Sequence, residues 1–290
     1  MTCGAVALPA LLALTSAFLF ALGAQLSRFS LRHMAPSRVA FTEIAASTTV
    51  YWLFAPWFVE AGYWLAPAVL LFVVAGLIRP FLSARLAITG TKHLGPTLSS
   101  TLQGTSPLFG VSLGVLALGE ELGPGVLAGT AGVIAGVTLL SRRGGTKAGW
   151  PLWALLLPVG AALVRALANM ISKLGMESLA SPFFVGLVAY TVSMAVFLVV
   201  SPPPRERRLL ANPGFKWAAL TGIIYAVSVQ SLNMALNCGK LIVVSPIVAC
   251  SPVFTLLLGL TLFREEAIDR RVIWTVLLVV PSVVLITLDG

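Results

Sequence analysis

Long apolar runs separated by short polar breaks recur along the whole chain. Ten such runs can be marked, and a helix of about 20 residues crosses the roughly 30 Å hydrocarbon layer of a bilayer. They span residues 8–30, 39–59, 66–90, 94–117, 122–141, 151–173, 182–201, 215–237, 241–262 and 270–288. The period-two alternation of a membrane β-barrel is absent. The pattern therefore predicts an all-α integral membrane protein with ten transmembrane helices.

The composition indicates the same class of protein. Hydrophobic residues make up 58% of the 290 residues and charged residues 10%, whereas soluble domains have roughly 45–50% apolar and about 25% charged residues. The first run has no basic residue before it and is too long for a signal-peptide core, so we expect it to remain in the mature protein. We predict a multi-pass protein of a cell membrane, of the bacterial inner-membrane type.

The net charge of +9 is spread over short loops and forms no nucleic-acid-binding face. When loops are assigned alternately to the two sides, fourteen basic residues fall on one side and two, Lys173 and Lys240, on the other. Basic loops face the cytoplasm in membrane proteins. The charge distribution therefore predicts that both chain termini lie outside.

The sequence repeats itself after 145 residues, which is half its length. The matched positions include Pro107 with Pro252, Phe109 with Phe254, Gly114 with Gly259, Glu120 with Glu265, Glu121 with Glu266, and Ser27-Arg28 with Ser172-Lys173. Because each half contains five runs, an odd number, the two halves enter the membrane from opposite sides. We predict two inverted five-helix repeats, 1–145 and 146–290, in one integrated bundle.

The stretches TSPLFGVSLGVLALGEEL and CSPVFTLLLGLTLFREEA, each followed by an apolar helix, resemble the EamA-type ten-helix transporters of the drug/metabolite transporter superfamily. The resemblance covers the whole chain as two five-helix units. It implies a central cavity lined by helices 1–4 and 6–9, with helices 5 and 10 outside, and transport by alternating access. The chain departs from the family in two respects. Members usually have cytoplasmic termini, and they often carry an arginine near the position of Glu43.

Three prolines in the predicted helices are candidate hinges: Pro107, Pro246 and Pro252. A proline inside a helix removes one backbone hydrogen bond and clashes with the carbonyl four residues earlier. Interruptions at matching places in two inverted halves point to the binding region of a transporter. The alternative is a simple kink in which a nearby Ser or Thr satisfies the freed carbonyl.

Two arginines inside the spans are the main candidates for substrate binding. Arg79 and Arg165 lie about 13 and 14 residues into helices 3 and 6, near the midplane, where a charge must be paired or face a wet interior. The repeat places Ile224 and Phe20 at the equivalent positions, so the duplicated architecture does not require arginine there. We hypothesise that one or both bind an anionic group. The alternative is an ion pair with Glu43, which is also the candidate for proton coupling.

Uncharged polar residues at suitable depths are further candidates for substrate binding. Ser99 and Gln103 are four residues apart and share one helix face, which we expect to turn towards the bundle interior. The other candidates are Asn169 in helix 6 and Tyr225, Gln230 and Asn233 in helix 8. For each, the alternative is an interhelical hydrogen bond, worth about 0.6 kcal/mol on average.

The acidic pairs Glu120-Glu121 and Glu265-Glu266 directly precede helices 5 and 10. An acidic side chain stabilises a helix N-terminus by roughly 0.3–1 kcal/mol. We therefore interpret both pairs as helix caps and loop ion pairs and not as catalytic groups.

Helix 5 carries glycines at GxxxG spacing: Gly125, Gly129, Gly132 and Gly136. Small residues at this spacing allow two helices to approach closely. The stripe predicts a close contact within the bundle, and a homodimer is the alternative.

The sequence lacks the motifs of enzyme chemistry, including HExxH, a nucleophile elbow and a Walker loop. The cysteines Cys3, Cys238 and Cys250 have no metal-ligand spacing, and their odd number predicts no disulfide framework. We expect no catalytic residue, metal or cofactor. We predict a secondary transporter whose partners are the lipid bilayer and a small-molecule substrate. The resemblance to the EamA-type family implies export, and we expect amino acids or related carboxylate-bearing compounds as the substrates. A multidrug exporter of lipophilic compounds and a channel or non-transporting scaffold are the alternatives.

Overall fold

The computed structural model describes residues 7–79, 81–94, 99, 102–141, 151–200, 212–261 and 270–289. These residues form α-helices and two short 3₁₀ helices, Ala61–Leu65 and Leu152–Leu155. The α-helices are α1 (Ala7–Leu31), α2 (Pro36–Phe58), α3 (Ala68–Ile78), α4 (Phe81–Leu94), α5 (Ser106–Leu118), α6 (Pro124–Ser141), α7 (Leu156–Ser178), α8 (Pro182–Val200), α9 (Pro213–Cys238), α10 (Leu241–Val248), α11 (Ser251–Thr261) and α12 (Arg270–Asp289).

The helices account for the ten predicted spans. Within the described part of the chain, six segments are long and apolar enough to cross a membrane: Ala7–Leu31, Ala68–Leu94, Leu152–Ser178, Pro182–Val200, Pro213–Cys238 and Leu241–Gly259. Three shorter apolar helices, Ser106–Leu118, Pro124–Leu139 and Trp274–Asp289, together with α2, supply the other four. The prediction of an all-α bundle of ten spans is confirmed.

The two halves interlock, because most of the main helix contacts run between them. The first span of each half packs on the third span of the other, so that α1 lies against α9 while α7 lies against α3 and α4. The remaining spans also pair between the halves, each with its own equivalent. In these pairs α2 lies on α8, α5 on α10 and α6 on α12. This reciprocal pairing is what two inverted repeats produce.

The glycine stripe of α6 lies against α12. A Cβ atom on Gly129 would lie 2.5 Å from the backbone oxygen of Ser282, and Cβ atoms on Gly132 and Gly136 would meet the side chains of Ser282 and Val279. The stripe is therefore occupied by a contact within the molecule, as the sequence predicts.

Spans 3, 4 and 9 are interrupted. Span 3 stops being helical at Arg79, whose backbone is extended (φ −138°, ψ 136°), because a residue that precedes proline is excluded from the helical region. Span 4 has a turn directly before α5, and span 9 has one at the matching place, between α10 and α11. Spans 3 and 9, predicted as single helices over 66–90 and 241–262, are each two shorter helices.

The interruptions change the role of two of the predicted hinge prolines. Pro107 and Pro252 stand in the first turn of α5 and α11 instead of bending a continuous helix. Proline is favoured at that position because the first residues of a helix have no intrahelical partner for their N–H groups. Pro246 does lie inside a helix, α10.

Candidate substrate site

The interruption of span 3 is held by a serine from the other half. The Ser193 hydroxyl lies 2.7 Å from the Gly76 carbonyl oxygen and 3.0 Å from that of Arg79. It contacts backbone oxygens that are left without an intrahelical partner where α3 ends. Non-helical backbone is stable at membrane depth only where it is buried in protein or lines a cavity. The hydrogen bonds from Ser193 show that the interior around Arg79 meets that requirement.

The side chain of Arg79 reaches from span 3 to α7. Its Nη1 donates to Oδ1 of Asn169 at 2.6 Å. Arg165 lies four residues before Asn169, so the two share one face of α7. The structure therefore brings Arg79, Arg165 and Asn169 together.

Arg165 connects this group to span 4. Its Nη2 donates to Oε1 of Gln103 at 3.2 Å, and Nε2 of Gln103 donates to the Ser99 hydroxyl at 3.2 Å. Nε of Arg165 is buried and has no hydrogen-bond partner among the described residues. We call Arg79, Asn169, Arg165, Gln103 and Ser99 the arginine cluster.

The two positive charges of the arginine cluster lie within electrostatic range of each other. In the part of the chain that the structure describes, neither guanidinium group has a carboxylate at ion-pair distance. Both arginine side chains remain half-buried. Buried charges normally require a counter-charge, so the cluster has an excess of positive charge that the described protein does not neutralise.

Tyr51 and Tyr190 form an aromatic wall beside Arg79. Their rings are stacked with centroids 5.5 Å apart, and both interact electrostatically with Arg79. The Tyr51 hydroxyl donates to the Ala226 carbonyl at 3.1 Å and so ties α2 to α9. Neither tyrosine was among the residues predicted from the sequence, although a polar aromatic residue within an apolar span was an available signal.

Glu43 is separate from the arginine cluster. Its Oε1 accepts a hydrogen bond of 2.6 Å from the Ser27 hydroxyl of α1. The alternative of an ion pair with Arg79 or Arg165 is not realised in the described residues, because those arginines bind side-chain amides instead. Glu43 is thus a half-buried carboxylate with a neutral partner.

The three polar candidates of α9 have different environments. Asn233 is buried and donates to the Pro182 carbonyl at 3.1 Å, a contact that fixes the start of α8. The Tyr225 ring lies where a side chain on Gly23 would be, so Gly23 allows α1 and α9 to approach closely. Oε1 of Gln230 is buried without a partner among the described residues and can accept a hydrogen bond from a ligand.

The prediction that Glu120 caps the helix directly after it is wrong. Glu120 does not cap the helix that follows it. Its Oε1 and Oε2 accept hydrogen bonds of 2.7 and 2.9 Å from the backbone N–H groups of Leu241 and Ile242, which begin α10 in the other half. A cap supplied by a distant segment leaves no local signal in the sequence.

Asp289 supplies the cap that was assigned to Glu120-Glu121. Its Oδ2 accepts hydrogen bonds of 2.7 and 3.0 Å from the backbone N–H groups of Gly125 and Val126 at the start of α6. The second acidic pair, Glu265-Glu266, lies outside the described residues.

The odd number of cysteines predicts no disulfide framework, and the structure adds that single cysteines differ in state. Cys238, at the end of α9, is disulfide-bonded, whereas Cys250 is buried and free. Cys3, the remaining cysteine of the sequence, lies outside the described residues. An odd number of cysteines does not exclude a single disulfide, and Cys250 is the free cysteine among the described residues.

Interlocked inverted halves and interrupted spans with a charged interior are characteristic of membrane transporters of small molecules. Residues 7–142 and again residues 152–288 match the EamA-like transporter family. The chain belongs to this family, and the resemblance seen in the sequence is confirmed.

Several solved structures are similar, and one crystal structure among them matches over 97% of this chain and 96% of its own, with a TM-score of 0.75 and 17% sequence identity. At that identity the likeness shows the fold alone. No curated protein matches the sequence.

Proposed function

We propose that the protein is a secondary transporter that exports small carboxylate-bearing metabolites, such as amino acids, by alternating access. The observation that carries the proposal is the excess positive charge of the arginine cluster. Arg79 and Arg165 repel each other in an interior of low dielectric constant. A bound anion would relieve that repulsion.

The hydrogen-bonding capacity of the cluster favours a carboxylate. A guanidinium group carries five N–H donors in a planar fork that matches the two oxygens of a carboxylate. Each arginine donates one Nη hydrogen bond to a side-chain amide oxygen of the protein. Nε of Arg165 has no hydrogen-bond partner among the described residues. The remaining donors can hold a carboxylate in a bidentate arrangement.

The interrupted spans support alternating access. Spans 4 and 9 are equivalent in the two halves, are broken at matching places and pack on each other through α5 and α10. Half-helices at the interface of inverted repeats characterise secondary transporters in which one repeat rocks against the other around a fixed site. Export as the direction of transport rests on the resemblance to the family.

Counterflow in proteoliposomes tests this function. Vesicles loaded with amino acids, organic anions or lipophilic cations are diluted into a trace of the same labelled compound. Saturable counterflow of a carboxylate is the expected result. Counterflow of lipophilic cations alone would make the protein a multidrug exporter, linear flux would make it a channel, and no flux of any compound would make it a scaffold.

We also propose a bacterial-type inner membrane location with both termini outside. The basic loops support this orientation, since fourteen of sixteen loop lysines and arginines fall on the opposite side from the termini. A disulfide at Cys238 fits this orientation, because disulfides persist in oxidising compartments outside the cytoplasm. Cys238 ends α9 directly before Gly239, which lies against Pro9 near the start of α1.

A further inference from the structure

Glu120 connects four elements at the end of the bundle that carries the termini. While its carboxylate caps α10, Oε1 also lies 3.4 Å from Nζ of Lys173 in α7. Lys173 in turn donates to the carbonyls of Leu236, at 3.3 Å, and Gly239 at the end of α9. The turn between α5 and α6 in the first half is thereby joined to α7, α9 and α10 of the second.

The local sequence directs Glu120 towards this position. Gly119 ends α5 with a left-handed backbone (φ 65°), and the N–H of Glu120 bonds back to the Gly114 carbonyl at 3.0 Å, as in the glycine turns that end many helices. A Cβ atom on Gly114 would lie 2.7 Å from Oε2 of Glu120. Gly119 therefore turns the chain, and Gly114 leaves room for the carboxylate.

The ion pair is largely removed from water. The side chains of Lys173 and Glu120 are 16% and 8% exposed. When such a pair is buried, desolvation offsets much of its attraction. The pair can therefore separate and become hydrated without a large loss of stability, which suits a contact that opens and closes.

We propose that Glu120 and Lys173 form a latch that closes the termini-bearing end of the transporter and breaks when the interior site opens to that end. The inference rests on the alternating-access function proposed above. Gly110 of α5 lies against Ser245 of α10, so separation of these helices would open a path between the halves. Glu120 holds the start of α10 to the first half through its hydrogen bonds to Leu241 and Ile242.

The sequence contains a second acid and base at the equivalent positions. The shift of 145 residues places Arg28 on Lys173 and Glu265 on Glu120. Inverted repeats place equivalent positions at opposite ends of the bundle. Glu265 lies outside the described residues, and the proposal is confined to Glu120 and Lys173.

Hydrogen–deuterium exchange of the purified protein tests the latch without any substrate. The variants are Glu120→Gln and Lys173→Met, and the control is Glu121→Gln at the exposed neighbouring acid. Loss of a charge-assisted contact should speed amide exchange by about tenfold. Both variants should show this in residues 106–118 of α5 and in residues 241–248 of α10, and the control should exchange like the native protein.

The effect of Lys173→Met separates a latch from a simple helix cap, because Lys173 does not touch the capped N–H groups. The proposal is overturned if Lys173→Met exchanges like the native protein, or if Glu120→Gln accelerates exchange only at Leu241 and Ile242. If Glu120→Gln does not insert into the membrane, Lys173→Met decides the question alone, since it leaves both capping hydrogen bonds in place. The exchange measurement and the counterflow assay have separate readouts. Failure of the latch can therefore be distinguished from failure of the proposed transport function.

Discussion

Arg79 shows how far single residues could be interpreted from the sequence. Its depth predicted a polar interior, and the structure does place it with Arg165 and Asn169. The sequence Arg79-Pro80 also contained the signal for the extended backbone, since a residue before proline avoids the helical region. The contribution of Ser193 could not be predicted, because it comes from the other half and closes a gap that only the folded chain creates.

Glu43→Gln tests whether this carboxylate couples transport to protons. A half-buried acid bonded only to Ser27 among the described residues can take up and release a proton during a transport cycle. We expect the variant to lose accumulation driven by a pH gradient, measured in proteoliposomes with the compound that gives counterflow. Counterflow itself should persist.

Glu177→Gln is the matched control, since this acid is exposed at the end of α7 and should retain both activities. If Glu43→Gln accumulates substrate as well as the control does, Glu43 has a structural role only.

At the scale of elements, apolar periodicity and local breaks predicted the number and type of spans, but caps and interruptions were assigned less well. Periodicity reports burial along one helix, and this information is local. The partner that completes a helix end is not local, as the capping of α10 by Glu120 and of α6 by Asp289 shows. The glycine stripe of α6 was interpreted correctly because small residues at that spacing have one common structural use.

Gly129→Ala tests the close contact between α6 and α12. The new methyl group would meet the backbone oxygen of Ser282 at 2.5 Å, and crowding of this kind costs about 1–3 kcal/mol. We expect a lower midpoint of thermal unfolding in detergent.

Gly160→Ala is the control, because its Cβ atom would meet only Leu86, at 3.7 Å, and alanine favours the helix. A Gly129→Ala protein as stable as the Gly160→Ala protein would show that the two helices do not pack as described.

At the scale of the whole molecule, the duplication and the odd number of spans in each half predicted the inverted arrangement. The orientation that we propose, with both termini outside, rests on the charge distribution and differs from the one that the family resemblance implies. The disulfide at Cys238 and the contact between Gly239 and Pro9 place an oxidised cysteine near the start of α1. A disulfide at that end fits the orientation that we propose from the charge distribution.

Reporter fusions to the full chain test the orientation. Alkaline phosphatase folds only outside the cytoplasm, so a C-terminal fusion should be active, while a fusion within the connection 142–150 should be inactive. Green fluorescent protein at the same two positions is the control and should give the opposite pattern. A fluorescent C-terminal fusion with an inactive phosphatase would reverse the proposed orientation.

Counterflow of carboxylates through the Arg79→Gln and Arg165→Gln proteins tests the central claim most directly. Arg85→Gln is the matched control, because Arg85 lies in the same span as Arg79 but is exposed and packs over Phe81. Loss of a charge-assisted hydrogen bond to a ligand corresponds to about tenfold or more in affinity. We predict that both cluster variants insert normally and lose carboxylate counterflow by at least about tenfold, while Arg85→Gln retains it. Full counterflow in both cluster variants would contradict the account.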